Sequence, residues 1–210
     1  MSEVRNGYFF KNHHIHKQLF TAEECDNLIK HFKSNSYDNA TVIDSEKTIK
    51  NDIASKRSTD IREGRLVWLR HDDETINWVF QKLFYASIWA NFGWSLLPLR
   101  SLQITEYDAN TDGGFYKRHR DIIMGTTPQR IISSVTQLSN PEDYTGCNLI
   151  FDKSANMPPP EEYRNQGDTI FFTSIEPHEV TPILSGKRYS LVGWFEGPNL
   201  WDENNLSGDF

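Results

Sequence analysis

The chain has 210 residues, of which 37% are hydrophobic and 13% aromatic, and this apolar content supports a packed core and excludes a disordered chain. Its formal net charge of −7 argues against nucleic acid as the main partner, because phosphate-binding proteins carry a basic field. The two cysteines, Cys25 and Cys147, lie far apart and indicate no disulfide framework. No apolar run is long enough to span a membrane, and the N-terminus lacks a signal-peptide core. We therefore expect a soluble, cytoplasmic protein without a membrane partner.

The first half of the chain is predicted to contain a strand and two helices. Thr21 and Glu24 have the spacing of a capping box, and apolar residues follow them at helical spacing. A second helix is predicted to begin after Asp72 or Asp73, either of which would serve as its N-cap. It would end near Asn91, with Gly93 beyond its last turn.

A polar segment, residues 34–63, separates these two helices. It contains many Lys, Asp, Ser and Thr residues and few large apolar ones, so it is predicted to be a long loop. Two interpretations stay open for it: a lid over a substrate site, or a surface excursion without such a role.

From residue 99 onward the pattern becomes that of a β protein. Short strands are predicted at 99–107, 130–138, 147–151, 169–172, 177–182 and 187–195, separated by turns rich in Gly, Pro and Asn. Many short strands indicate a sandwich or barrel, which the helices would cover on one face. We expect one domain over 1–210, mainly β with supporting α-helices: N-terminal strands, helices and loop (1–98), β core (99–198) and a polar tail (199–210).

The pattern His-x-Asp occurs twice, at His71–Asp73 and His119–Asp121. The first copy falls where a helix begins, and we interpret it as structural. The second lies in the β-rich region, where residues i and i+2 of an extended segment point to the same side. With His178 as a third group, His119 and Asp121 would form the two-His, one-carboxylate triad of non-haem Fe(II) oxygenases.

Arg188 is the candidate for holding a second anionic group beside such a metal. If Ser185 and Gly186 form the turn of a hairpin, Arg188 faces the same way as His178, offset by about 13 Å. A metal-chelating five-carbon dicarboxylate would fill that gap, and a fork-shaped guanidinium suits its far carboxylate. A turn shifted by one residue would select Lys187 instead.

Four sequence runs carry a family resemblance. They are 113–121 (GGFYKRHRD, preceded by Tyr107), 140–146 (NPEDYTG), 167–172 (GDTIFF) and 178–194 (HEVTPILSGKRYSLVGW). In order, spacing and flanking residues they resemble the iron(II)/2-oxoglutarate-dependent dioxygenases, in particular their prolyl 4-hydroxylase-like branch. The resemblance implies a double-stranded β-helix core, a jelly roll of the cupin-like type, with iron in its mouth.

The resemblance also implies roles for individual residues. His119, Asp121 and His178 would be the catalytic metal ligands. Arg188 would bind the distal carboxylate of 2-oxoglutarate, and Tyr107 would donate a hydrogen bond to the same group.

Three further residues are predicted substrate contacts. Tyr116 lies where relatives place an aromatic near the substrate, with core packing as the alternative. Trp194 faces the pocket in some relatives, with core filling as the alternative. Arg57 lies in the polar segment, where peptide-hydroxylating relatives often carry an Arg-Ser pair in a lid. The chain departs from its relatives at Cys147. We interpret this residue as a small buried side chain that fills space in the core, with a reactive thiol as the alternative.

The implied activity is hydroxylation of an unactivated C–H bond, with conversion of 2-oxoglutarate and O2 to succinate and CO2. Peptidyl proline is the expected substrate, so a protein or peptide is the expected partner, and ascorbate would be the reductant. One alternative is the same chemistry on a small molecule or on a non-proline residue, and another is a non-catalytic jelly-roll binding module. A zinc hydrolase is a further alternative, but zinc hydrolases typically use ligand sets other than two histidines and one aspartate in this pattern.

Overall fold

The computed structural model describes residues 12–43, 55–111, 114–123, 126, 128–152 and 156–197. The predicted polar tail and the middle of the 34–63 segment lie outside the described residues. Within the described ranges, no helix has both the length and the apolar content needed to cross a bilayer.

Helix α1 spans Ala22–Ser34 and begins with the predicted capping box, which is confirmed. The Glu24 amide donates to Thr21 Oγ1 at 3.2 Å, and the Thr21 amide donates to Glu24 Oε2 at 2.8 Å. Both orphan amides of the first turn are thereby satisfied. The helix buries Cys25, Leu28 and Phe32 against the sheet, as its apolar spacing predicts.

Helix α2 spans Asn77–Ala90, and the predicted aspartate cap was wrong. Asp73 Oδ1 instead accepts the Thr75 amide at 2.9 Å, forming a turn that ends before the helix begins. Such a local side-chain-to-backbone bond competes with helix capping. At the other end Asn91 takes the left-handed conformation (φ 47°) that closes the helix, two residues before Gly93.

Fourteen strands make up the largest share of the secondary structure in the described chain. They are β1 (His13–His16), β2 (Asp38–Asn39), β3 (Val42–Ile43), β4 (Ser55–Lys56), β5 (Arg62–Glu63), β6 (Arg65–Arg70), β7 (Ser101–Asp108), β8 (Phe115–His119), β9 (Gln129–Gln137), β10 (Tyr144–Gly146), β11 (Leu149–Phe151), β12 (Thr169–Thr173), β13 (His178–Val180) and β14 (Ile183–Gly197). Single 3₁₀ turns lie at Pro141–Asp143 and Pro160–Glu162. The long polar loop predicted over 34–63 is therefore in part four short strands, which add to sheet edges or pair with each other.

Two antiparallel sheets form the body of the protein. The larger has eight strands in the order β1-β12-β9-β14-β7-β6-β2, with β10 also paired to β14. The smaller has the order β11-β13-β8-β5. An apolar cluster with members from both sheets, among them Tyr107, Val135, Leu149 and Val180, fills the space between them. This arrangement confirms the mainly β class with two supporting helices.

The predicted hairpin around Ser185 and Gly186 was wrong. Strand β13 pairs with β8 and β11, whereas β14 pairs with β7, β9 and β10, so the two consecutive strands enter different sheets. Gly186 lies inside β14 with φ 74°, and a Cβ there would meet the Asp143 carbonyl oxygen at 2.0 Å. Glycine is needed at this point for close strand approach, not for a chain reversal.

Alternation along the strands of the large sheet separates two environments. On β7, Leu102 and Ile104 join a core cluster that contains residues of both helices. The alternate residues of β7 point to the opposite face, toward the smaller sheet, where they line a cavity; they are Gln103, Thr105 and Tyr107. The site therefore lies between the two sheets.

Candidate metal centre and adjoining groove

The predicted triad is brought together at one end of the smaller sheet. His119 ends β8 and His178 begins β13, and the two residues are direct partners across this antiparallel pair. Asp121 follows two residues after His119, and its amide donates to the Ser174 carbonyl at 3.0 Å. The pairing of β8 with β13 thus holds the two histidines at the same end of the sheet, and the backbone bond to Ser174 holds Asp121 beside them.

The three side chains converge on one point. His119 Nε2 lies 3.5 Å from Asp121 Oδ1, and His178 Nε2 lies 3.6 Å from Asp121 Oδ2. One possible ligand atom from each residue lies within 4.8 Å of the other two. Asp121 and His178 are buried and His119 is mostly so, which leaves these atoms few partners other than an ion.

The Nδ1 atoms of His119 and His178, which face away from the point of convergence, orient the two imidazoles. His119 Nδ1 lies 2.9 Å from the Lys117 carbonyl oxygen, and His178 Nδ1 lies 2.9 Å from that of Glu176. A carbonyl only accepts, so each Nδ1 carries the proton and donates it, which leaves the Nε2 lone pair free to ligate. Burial also lowers the pKa of His178, which favours the neutral, ligating form.

Asp121 is held as a carboxylate. Its burial would raise its pKa, but the neighbouring imidazoles His178 and His119 and a hydrogen bond from Ser133 lower it well below the usual range. Ser133 Oγ donates to Asp121 Oδ2 at 2.7 Å and lies 2.9 Å from Ser174 Oγ. Two imidazoles and one fixed carboxylate are the donor set that suits Fe(II) with open positions, so the residues present fit this metal. Sequence reasoning missed Ser133; its signal is a polar residue on the inward face of a buried strand.

Arg188 and Tyr107 lie in the same cavity, of about 430 Å³, as the triad. They are direct partners across the β7–β14 pair. Arg188 is 1% exposed, and its Nε and one terminal nitrogen donate to Gln137 Oε1 at 3.0 and 2.8 Å. Burial raises the pKa of Tyr107, which keeps its hydroxyl protonated as a donor.

Within the described residues, no carboxylate pairs with Arg188; its recorded side-chain partners are Gln137 and the Cys147 thiol. A buried guanidinium held by a neutral amide keeps its full charge, and a buried charge needs an anion to compensate it. The cavity is thus prepared for an anionic group. Gln137 was not identified from the sequence, although it lies four residues after Ser133 on the same strand face.

The alternative residue Lys187 points away from the cavity. Its Nζ lies 2.7 Å from Asp108 Oδ2, and its side chain is 44% exposed. The side-chain alternation of β14 separates it from Arg188, so Arg188 and not Lys187 lines the cavity.

An open groove of about 780 Å³ adjoins the cavity and shares Asp121 with it. Tyr116 and Trp194 line both spaces. The Tyr116 ring stacks on His119 with ring centroids 3.5 Å apart, and burial raises the pKa of its hydroxyl to about 12. Two residues that sequence reasoning missed complete the wall: Arg62, which also reaches the cavity, and Arg130, whose guanidinium lies 4.2 Å from the Trp194 ring.

Arg57 is not brought to this site. Its side chain is half exposed and lies 3.4 Å from Glu63, outside the lining of both the cavity and the groove. Cys147 is fully buried, and burial raises the pKa of its thiol, which suits a filler better than a reactive group. The first His-x-Asp copy is elsewhere: His71 packs against the edge of Phe80 in α2, with ring centroids 6.5 Å apart.

Comparison with known proteins agrees with this geometry. The model of the 2OG-Fe(II) oxygenase superfamily matches residues 102–196, which contain the triad, Tyr107 and Arg188. Over those residues the chain is similar to the 2OG-Fe(II) oxygenase superfamily. A PKHD-type hydroxylase of Synechococcus sp. (strain CC9605) is 32% identical over 108 residues, which are 49% of this chain and 41% of that protein. The chain thus spans about two fifths of the length of that relative.

Solved structures share the fold over nearly the whole described chain. A prolyl 4-hydroxylase of Pseudomonas putida superposes with a TM-score of 0.64 at 21% identity, covering 90% of this chain and 94% of its own. A prolyl hydroxylase of Trichoplax adhaerens, solved with a hypoxia inducible factor peptide fragment, gives 0.64 at 18% identity, covering 94% and 88%. The resemblance to the prolyl 4-hydroxylase-like branch is thereby confirmed as a resemblance of fold.

Proposed function

We propose that this protein is an Fe(II)- and 2-oxoglutarate-dependent oxygenase that hydroxylates a peptidyl C–H bond, with proline as the target residue. The observation that carries the proposal is a preformed His119/Asp121/His178 triad in one cavity with Arg188, a buried cation that has no described carboxylate partner. The triad suits the metal, and the Arg188 guanidinium suits the far carboxylate of a dicarboxylate.

Each residue of the site has a defined task. His119, Asp121 and His178 would hold iron through two Nε2 atoms and a carboxylate oxygen. Arg188 and the Tyr107 hydroxyl would bind the distal carboxylate of 2-oxoglutarate, and Gln137 would keep the guanidinium in place. Iron with 2-oxoglutarate and O2 supplies the oxidising power for C–H hydroxylation. The apolar cavity wall, with Val135, Leu149 and Val180, excludes water from the reacting groups.

A second space beside the cavity supports a peptide substrate. The cavity would take the cosubstrate, and the adjoining groove, which also reaches Asp121, would take the chain that passes the triad. Tyr116 and Trp194, where the two spaces meet, would position the target side chain. A structural neighbour solved with a bound peptide fragment also supports this choice. The contact predicted for Arg57 stays a prediction, since a peptide extending beyond the groove would be needed to reach it.

A two-stage experiment tests the proposal. Fe(II) and then 2-oxoglutarate are added without oxygen, and a visible metal-to-ligand charge-transfer band is expected in the wild type but not in Asp121→Ala. Oxygen and a set of proline-containing peptides are then added, and a mass gain of one oxygen is expected together with succinate. Absence of the band in folded protein would overturn the cofactor assignment. A band with 2-oxoglutarate turnover but no modified peptide would overturn the peptide substrate.

A further inference from the structure

We infer that the groove beside the metal centre recognises an acidic peptide, in which an Asp or Glu directly flanks the target proline. This inference rests on the proposed function for the reaction but not for the binding. Its basis is a concentration of arginine at the groove: Arg62, Arg120 and Arg130 line it, and they come from three separate parts of the chain.

Arg130 is the least compensated of these cations. Within the described residues it forms no ion pair or hydrogen bond, and its recorded contact is the Trp194 ring at 4.2 Å. Burial lowers its pKa, which means that the surroundings disfavour its charge. The charges of Asp121 and Glu196 act against that effect, and Glu196 lies directly across the β9–β14 pair from Arg130, but within the described residues no ion pair forms between these side chains. A guanidinium in this position gains from an incoming anion.

Arg62 and Trp194 add unused donors at the same place. Arg62 is 8% exposed and donates to Gln103 Oε1 at 2.7 Å and to the Thr41 carbonyl at 3.2 Å, yet its Nε is buried without a partner. Trp194 Nε1 is also buried without a partner. Buried donors in native proteins are nearly always satisfied, so these two unpaired donors add to the excess of positive and donor groups in the wall of the groove.

Arg120 lies at the exposed rim of the groove. Its Nε donates to the Ile175 carbonyl at 2.9 Å, which directs the side chain, and no described carboxylate pairs with it. The chain as a whole carries a net charge of −7, so the concentration of arginine at the groove is not a consequence of general composition. Among the described residues that line the groove, the one carboxylate is Asp121, which belongs to the candidate metal centre.

These observations specify the occupant. Three arginines beside an aromatic wall fit a chain with an apolar target and an adjacent carboxylate, because guanidinium and carboxylate form paired, charge-assisted hydrogen bonds. A neutral peptide offers carbonyl oxygens to these donors but no counter-charge to the arginines.

The test measures binding, separately from turnover. Fluorescein-labelled peptides with one central proline, flanked by Asp or Glu in one series and by Asn or Gln in the matched series, are titrated by fluorescence anisotropy. The protein is used metal-free and also loaded with Fe(II) and 2-oxoglutarate without oxygen. Arg130→Gln, Arg130→Lys and Arg120→Gln are compared with Arg70→Gln, an exposed arginine on β6 that pairs with Asp72 away from the groove. Thermal melting establishes that each variant is folded.

The acidic peptides are expected to bind at least about tenfold more tightly than their amide counterparts, with a preference that falls as salt is added. Arg130→Gln should abolish the preference, Arg130→Lys should restore part of it, and Arg70→Gln should leave it unchanged. Equal binding of the two series, no binding of either, or a preference that persists in Arg130→Gln and Arg120→Gln alike would overturn the inference. Acidic peptides that bind but gain no oxygen would overturn the proposed function and leave the inference standing.

Discussion

Replacing Gln137 with glutamate is expected to separate the stability of this protein from its affinity for 2-oxoglutarate. Gln137 Oε1 accepts two hydrogen bonds from Arg188, at 2.8 and 3.0 Å. In Gln137→Glu a carboxylate oxygen takes the same place with almost no change of shape. The buried guanidinium then gains a charged partner, so the melting temperature should be equal to or above that of the wild type.

The affinity for 2-oxoglutarate should fall in the same variant. The new carboxylate and the distal carboxylate of the ligand would share the Arg188 guanidinium and repel each other. Two unit charges at a separation of about 5 Å and an effective dielectric constant of about 20 repel by about 3 kcal/mol, or about a hundredfold in Kd. Gln137→Leu provides the opposite case, because it leaves two charged donors unpaired, costs about 3 kcal/mol and lowers the melting temperature by roughly 6–12 °C.

The assay is an anaerobic titration of the Fe(II)-loaded protein with 2-oxoglutarate, followed through the charge-transfer band, with a thermal melt of each variant. Lys187→Gln serves as the control, since Lys187 lies on the neighbouring position of β14 but outside the cavity. Its Kd for 2-oxoglutarate should match that of the wild type. If Gln137→Glu binds 2-oxoglutarate as tightly as the wild type, Arg188 does not anchor the cosubstrate and the reasoning fails.

Three further predictions concern the metal ligand, the first helix and the core. Ser133→Ala removes the 2.7 Å hydrogen bond to Asp121 and should weaken Fe(II) binding about 10- to 100-fold in a competition titration, with the melting curve little changed. Burial opposes the charge on Glu24, but hydrogen bonds from Lys82 and Thr21 lower its pKa below the ordinary value of 4.5. The stabilisation from Glu24 is therefore complete above that value and is lost as the pH falls through the lowered pKa. When the pH is lowered from about 5 to about 3, urea denaturation should show a smaller loss of stability in Glu24→Gln than in the wild type. Leu83 is fully buried between α2 and the sheet, and Leu83→Ala should lower the free energy of unfolding by about 2–5 kcal/mol, whereas a change below about 1 kcal/mol would mean that the site collapses around the gap.

The local signals of the chain were sufficient for much of the fold and for the centre of the site. The capping box at Thr21 and Glu24 is a short-range interaction, and it forms where the spacing predicts it. His119 and Asp121 lie two apart on an extended segment, so their shared direction follows from strand geometry alone. The polar and turn residues between apolar runs likewise predicted a mainly β body, although β6 and β8 were not among the predicted strands and the ends of others moved by a few residues.

Strand pairing was decided only by the tertiary structure. Ser185 and Gly186 have the composition of a turn, yet they continue β14, because β13 and β14 belong to different sheets. The choice of Arg188 over Lys187 therefore depends on the register of β14 against β7, which places Arg188 opposite Tyr107. Register is a long-range property, since it depends on which side chains the opposing sheet and the helices can bury.

The supporting residues of the site were also invisible to short-range patterns. Four such residues are Ser133, Gln137, Arg62 and Arg130. Each lies 12 or more residues along the chain from the group that it contacts, and each is an ordinary polar residue in its own segment. Their meaning comes from burial and from partners that are missing or present in space. By itself the sequence predicted the candidate ligands of the metal centre; the folded chain decided what orients them and what charge the adjoining groove presents.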